Sequence, residues 1–147
     1  MALSGYYHNE LEKVDKASKR LREVMDNLSS AFFIGMLNLE CCVTYANQTA
    51  LDAIGVERRE VLGRKFDETP WWSYSEEQRK KLRSAMYKAL QGEASRFDMC
   101  FIDIHQKHII VDFSLHPVFD AKNNVSYLVP FGQDITERRK AERALSM

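Results

Sequence analysis

The 147-residue chain is poor in the residue types that mark specialised chemistry. It has only three cysteines, Cys41, Cys42 and Cys100. The number is odd and two of them are neighbours. No C-x-x-C or H-x-x-x-H spacing accompanies them, so neither a disulfide framework nor a zinc site is expected. Buried free thiols in a reducing compartment are expected instead. Charge of one sign is also missing: 21 Lys and Arg balance 21 Asp and Glu. No electrostatic footprint points to nucleic acid, and there is no charged tail. No apolar run approaches the roughly 20 residues that span a bilayer, and residues 5–28 are too charged for a signal peptide. A cytoplasmic chain without direct membrane contact is therefore expected. A nucleophile elbow, a glycine-rich phosphate loop and a metal motif are all lacking, which argues against hydrolysis and phosphoryl transfer by this chain. A chain of this length still buries enough surface to fold as one domain unaided.

What is present begins with a helix. Residues 6–28 lack proline and glycine and are dense in good helix formers. Tyr7, Leu11, Val14, Ser18, Leu21, Met25 and Leu28 recur at alternating spacings of four and three, and six of the seven are apolar. That is a heptad seam. Residues 1–28 are read as a signalling or dimerisation helix with Leu11, Val14, Leu21, Met25 and Leu28 on the seam, giving a homodimer. The competing reading is an amphipathic helix lying on its own domain.

Next come two short apolar runs, Phe32–Leu37 and Cys41–Ala46, turned at Asn38-Leu39-Glu40, which read as a hairpin. Asn47 caps a short helix that Gly55 stops. Ser75 and Gln78 form a capping box for a longer helix, with Leu82, Ala85, Met86, Ala89 and Leu90 on its apolar face and Gly92 as its stop. Three strands follow. Phe97, Met99 and Phe101 alternate in the first; Ile109, Val111, Phe113 and Leu115 in the second; Val125, Tyr127, Val129 and Phe131 in the third. Pro130, which lacks a donor, is expected at an edge or a bulge. The order implies an α+β fold, an antiparallel sheet with helices packed on one face.

This order, with four local strings, resembles the PAS family over residues 29–136. The strings are Val43-Thr44-Tyr45-Ala46-Asn47-Gln48-Thr49-Ala50, Val61-Leu62-Gly63-Arg64, Val111-Asp112-Phe113-Ser114-Leu115-His116-Pro117-Val118 and Gly132-Gln133-Asp134-Ile135-Thr136-Glu137-Arg138-Arg139. The resemblance implies a five-stranded antiparallel sheet and a sensory or regulatory role. It also implies an output domain beyond residue 147, such as a histidine kinase or diguanylate cyclase, reached through a C-terminal helix beginning at 137–147. In such domains Asp134, Ile135 and Thr136 would form the junction that couples sensor to output. The short polar side chains of Asp134 and Thr136 suit that task, because they can hydrogen-bond nearby backbone. The chain would then be a piece of a longer protein.

Departures from the family narrow the ligand. Phe66 stands where light-sensing flavin members carry their reactive cysteine. Gly132 stands where they carry a glutamine, and Gln133, one residue later, belongs to the opposite sheet face. Residues 56–104 hold no histidine for a haem iron. Haem and covalent flavin are thus disfavoured, and a small apolar or aromatic ligand remains. The string Phe66-Asp67-Glu68-Thr69-Pro70-Trp71-Trp72 looks like the segment with which one PAS subgroup walls its pocket. Phe33, Asn47, Phe66, Trp71, Trp72, Met86, Phe97, Met99, Phe113 and Tyr127 are the candidate pocket residues. Two other functions compete. One is a ligand-free dimerisation module with a closed core. The other is a small α+β enzyme of the isomerase or dehydratase type, which would need a paired acid and base; Asp112 and His116 are spaced too far apart along a strand to serve.

Overall fold

A computed structural model describes residues 32–146 and, ahead of them, Lys16, Lys19, Arg20, Leu21 and Glu23, which are helical. The chain divides into two units, Met1–Ser30 and Ala31–Met147. In the first, Leu21 is 60% exposed; Leu11, Val14, Met25 and Leu28 lie outside the described residues.

The second unit is one antiparallel sheet and its covering. Its strands are β1 Phe32–Leu37, β2 Val43–Ala46, β3 Ser95–Ile102, β4 His108–Phe119 and β5 Val125–Asp134, and its helices are α1 Gln48–Ile54, α2 Glu76–Leu90 and α3 Thr136–Ser146. The strand order is β2-β1-β5-β4-β3, so β2 and β3 are opposite edges. The chain between them crosses one face and carries α1, two 3₁₀ turns (Arg58–Glu60 and Phe66–Glu68) and α2. That crossing buries the core, which includes Leu37, Leu51, Val61, Leu82, Met99, Leu115 and Leu128. The antiparallel α+β architecture with helices on one face is as expected.

Local chemistry accounts for the hairpins. Each of the three opens on an Asn or Asp whose side-chain oxygen accepts from the backbone N–H groups two and four residues on. Asn38 holds Glu40 and Cys42, Asp103 holds His105 and Lys107, and Asp120 holds Lys122 and Asn124. In each loop the residue three places after the Asx is left-handed: Cys41, Gln106 and Asn123 have φ of 63°, 63° and 67°. This is a type I turn followed by a left-handed residue, a geometry that joins twisted antiparallel strands.

Four local expectations change. β2 begins at Val43, because Cys41 is the left-handed residue of its loop and Cys42 bridges to Lys65. The three thiols are half-buried rather than buried. Two sit at a hairpin end, and Cys100 shares the outward parity of its strand with Asp98 and Ile102. Pro130 lies in a central strand, not at an edge; pairing between β1 and β5 lapses between Ile34–Phe131 and Leu37–Leu128, beside the missing donor. The capping box is half made. Ser75 accepts from the Gln78 N–H, but the Gln78 side chain accepts instead from the Cys100 N–H at 2.8 Å, and the Tyr74 hydroxyl donates to the Cys100 carbonyl at 2.8 Å. Residues 74–78 thereby satisfy backbone groups of edge strand β3 that would otherwise be open to pairing with another chain.

Candidate functional site: an aromatic cavity joined to the exit helix

Between the sheet and the crossing segment lies an apolar cavity of about 50 Å³. β1 supplies Phe33, Ile34, Gly35 and Leu37; β2 and α1 supply Val43, Tyr45, Ala46 and Ala50; the segment before α2 supplies Phe66, Trp71 and Trp72. Phe101, Val111, Phe113, Pro130, Phe131 and Gly132 complete the wall from β3, β4 and β5. Two glycines in the wall are points of close approach. A Cβ on Gly35 would lie 3.0 Å from the Tyr45 carbonyl and 3.2 Å from Pro130 Cγ, and one on Gly132 would lie 2.6 Å from Val111 Cγ1 and 3.5 Å from Phe33 Cδ2.

The aromatic wall is built on Phe66. Its ring meets Trp71 at 6.1 Å, Trp72 at 5.9 Å and Phe113 at 6.5 Å between centroids. Trp72 also meets Phe101 at 6.2 Å and Phe113 at 6.0 Å, both edge-on, the favoured arrangement for ring quadrupoles. The segment is clipped at both ends. Arg83 Nε donates to the Asp67 carboxylate at 3.1 Å and Arg79 Nε to its carbonyl at 3.1 Å, tying it to α2. Trp71 Nε1 donates to the Ala50 carbonyl at 2.9 Å, tying it to α1. Trp72 differs. It is 4% exposed, yet its Nε1 is the one buried side-chain nitrogen or oxygen among the described residues without a hydrogen-bond partner. Leaving such a donor unpaired costs about 1–3 kcal/mol.

Phe33, Phe66, Trp71, Trp72 and Phe113, all read from sequence as pocket residues, stand in the cavity wall. The other five lie elsewhere. Asn47 is fully buried but structural: its Oδ1 accepts from Ile34 N at 3.1 Å and Ala50 N at 3.3 Å, and its Nδ2 donates to the Phe32 carbonyl at 3.0 Å. Met86 and Met99 are core residues that do not line the cavity. Phe97 packs on Phe113 at 5.5 Å. Tyr127 is half-buried, alternates with the buried set of β5 (Leu128, Pro130 and Gly132), and does not line the cavity. Sequence reading missed the other wall residues, among them Gly35, Ala46, Ala50, Phe101, Val111, Pro130 and Gly132. For Gly35 and Gly132 the available signal was glycine inside a strand pattern, which marks close approach.

The cavity fits neither haem nor flavin. No histidine or cysteine lines it, and pockets for organic ligands of drug size run to roughly 300–1,000 Å³. Gln133 lies on the far face in a shallow groove with Arg96, Asp112, Ser114 and His116. In that groove Arg96 makes a bidentate pair with Asp112 at 2.9 and 2.6 Å, and the hydrogen bond holds the Asp112 carboxyl below the usual carboxylate range. His116 instead bonds Ser114 at 2.9 Å, so Asp112 and His116 have separate partners. Burial pushes the Cys41 thiol up, only partly offset by Lys65, which disfavours a reactive thiolate there. Among the described residues no group of three or more His, Cys, Asp or Glu is placed to hold a metal ion.

One end of the cavity wall adjoins the exit from the sheet. Asp134 Oδ1 accepts from Thr136 N at 2.9 Å and from Thr136 Oγ1 at 2.6 Å. The same Thr136 hydroxyl oxygen accepts from Ile110 N at 2.9 Å, while Ile135 N donates to the Ile110 carbonyl at 2.9 Å. Both backbone groups of Ile110 are therefore taken by the first residues of the exit, and Ile110 immediately precedes Val111 in the cavity wall. One turn into α3, Arg139 Nη2 bonds Asp98 of β3 at 2.9 Å.

Comparison with known proteins gives a consistent answer. The family described as the PAS fold matches residues 27–140. Hybrid signal transduction histidine kinase D of Dictyostelium discoideum is 32% identical over 136 residues, covering 91% of this chain and 9% of that protein. Sensor histidine kinase TmoS of Ectopseudomonas mendocina is 34% identical over 137 residues, covering 90% of this chain and 14% of that protein. The chain thus spans a small fraction of these relatives. Among solved structures, the PAS domain of an HTR-like protein from Haloarcula marismortui superposes with a TM-score of 0.65 at 16% identity, over 87% of this chain and 99% of that one.

Proposed function

Since this chain belongs to the PAS-fold family, we propose that it is the sensory module of a larger cytoplasmic signalling protein, and that it passes strain from its aromatic cavity through β4 and β5 into α3 and on to an output domain. The observation that carries this reading is the adjacency of wall and exit. Gly132 and Val111 close one side of the cavity; Ile110, which immediately precedes Val111, and Asp134, two residues after Gly132, hold Thr136 and the start of α3. A displacement of Val111 cannot stay local when its neighbour has both backbone groups bonded to the exit. The histidine kinases that the chain resembles support a kinase as the attached output. The chain is the regulatory part, acting as a homodimer through the helix within residues 1–28. A second reading, a ligand-free dimerisation module, draws support from the small cavity volume of about 50 Å³.

The test fuses residues 1–147 ahead of a histidine-kinase core in continuous heptad register and follows autophosphorylation. Gly132→Ala, which pushes on Val111, is expected to shift the kinase level, and Thr136→Val in the same chain to abolish that shift. Identical kinase levels in all variants would refute the sensory reading.

A further inference from the structure

Resting on the sensory reading, we infer that the ligand of this cavity is a small neutral molecule whose one polar atom is a hydrogen-bond acceptor, and that Trp72 Nε1 donates to it. The cavity excludes other classes on its own terms. No charged side chain lines it, so an ion would lose its hydration without a counter-charge. A water molecule needs two to four polar partners to be held, and among buried side chains of the described residues only Trp72 Nε1 lacks a partner. A pure hydrocarbon would leave that donor unpaired. The rings around Trp72 stand edge-on at 5.9, 6.2 and 6.0 Å, and their faces offer only the weak N–H···π contact, a poor substitute for a carbonyl or ether oxygen.

Trp71 supplies an internal control. It lines the same cavity, but its Nε1 already donates to the Ala50 carbonyl at 2.9 Å. One tryptophan of the pair therefore holds the segment to α1 and the other has a free donor. A ligand that satisfies Trp72 would stiffen the segment between Phe66 and α2 without breaking an existing bond.

The experiment uses residues 1–147 labelled with ¹⁵N and a matched pair of probes, cyclopentanone and methylenecyclopentane, which differ in the carbonyl oxygen. Two indole N–H signals are expected from the two tryptophans. Cyclopentanone should move the Trp72 indole signal downfield and leave that of Trp71 nearly in place. It should also bind roughly tenfold more tightly than the alkene, the gain of one hydrogen bond. Trp72→Phe should remove the preference while both probes still bind. Equal binding of the two probes, or an unmoved Trp72 signal on saturation, would overturn the acceptor class and leave the sensory reading intact. Failure of both probes to bind would overturn the inference in favour of a closed core. The kinase fusion with Gly132→Ala decides the sensory reading separately.

Discussion

Gly132 shows what one absent side chain does. A methyl group there would sit 2.6 Å from Val111 Cγ1, well inside contact distance, so Val111 or β5 must move. Gly132→Ala is expected to destabilise by about 1–3 kcal/mol, as overpacking does, and Val111→Ala in the same chain to recover most of that in urea titrations. Asp112 gives a prediction in pH. Its carboxyl titrates below its ordinary value because of Arg96. A folded-state pKa below the unfolded one adds stability that is present above the unfolded value, about 3.9, and is lost as pH falls through the folded value. Wild type should therefore lose stability more steeply than Asp112→Asn below about pH 4. Arg96 is 75% exposed, so added salt should shrink the difference. At this scale the sequence was legible wherever the chemistry is local. Asn47 as a cap and Gly55 as a stop follow from side-chain reach and φ. The lateral bonds from Asn47 to β1 do not, because they join residues 13 and 15 positions apart.

Among the elements, the strands were easier to find than to orient. β5 has two alternating sets, and the bulkier one, Val125, Tyr127, Val129 and Phe131, invites assignment to the core. The structure buries Leu128, Pro130 and Gly132 instead. Small residues face the cavity because the aromatic rings of β1, β4 and the Phe66–Trp72 segment already fill most of the space. Period-two patterning identifies two faces and is silent on which is covered. The exit junction was legible in its local half: Asp134 accepts from the Thr136 N–H two residues on, whereas the bond from Ile110 N to Thr136 joins residues 26 positions apart. Thr136→Val removes the acceptor for Ile110 N and the hydroxyl donor to Asp134. It is expected to cost about 1–3 kcal/mol, whereas Thr136→Ser should cost far less, both read by denaturant titration. Each Asx loop should behave as a unit of its own, with Asp120→Ala costing about 1 kcal/mol through loss of two side-chain bonds.

At the scale of the whole molecule, two ends matter. The heptad seam predicts self-association through residues 1–28. Leu21, 60% exposed, is the accessible place to test it. Leu21→Glu should lower the sedimentation mass toward that of one chain while the circular dichroism of the sheet is unchanged; a mass independent of concentration in wild type would count against the seam. The other end is α3, held by Ile110, Asp134 and the Arg139–Asp98 pair. The cavity, about 50 Å³, is too small to act as a rigid container. Under the proposed function its wall would register occupancy by moving, because Val111 and Gly132 adjoin strand residues bonded to the exit. No pattern in the sequence announces this, since it depends on β4 and β5 being neighbours in register, Val111 opposite Asp134.

Hydrogen exchange of the α3 backbone amides, residues 137–146, tests that coupling most directly. Gly132→Ala should accelerate exchange there beyond what Asn38→Ala does. Asn38→Ala weakens the β1–β2 loop and leaves the junction alone, so it controls for general loss of stability. Equal protection of α3 in the two variants, or an α3 unaffected by Gly132→Ala, would contradict the transmission of strain from cavity to helix.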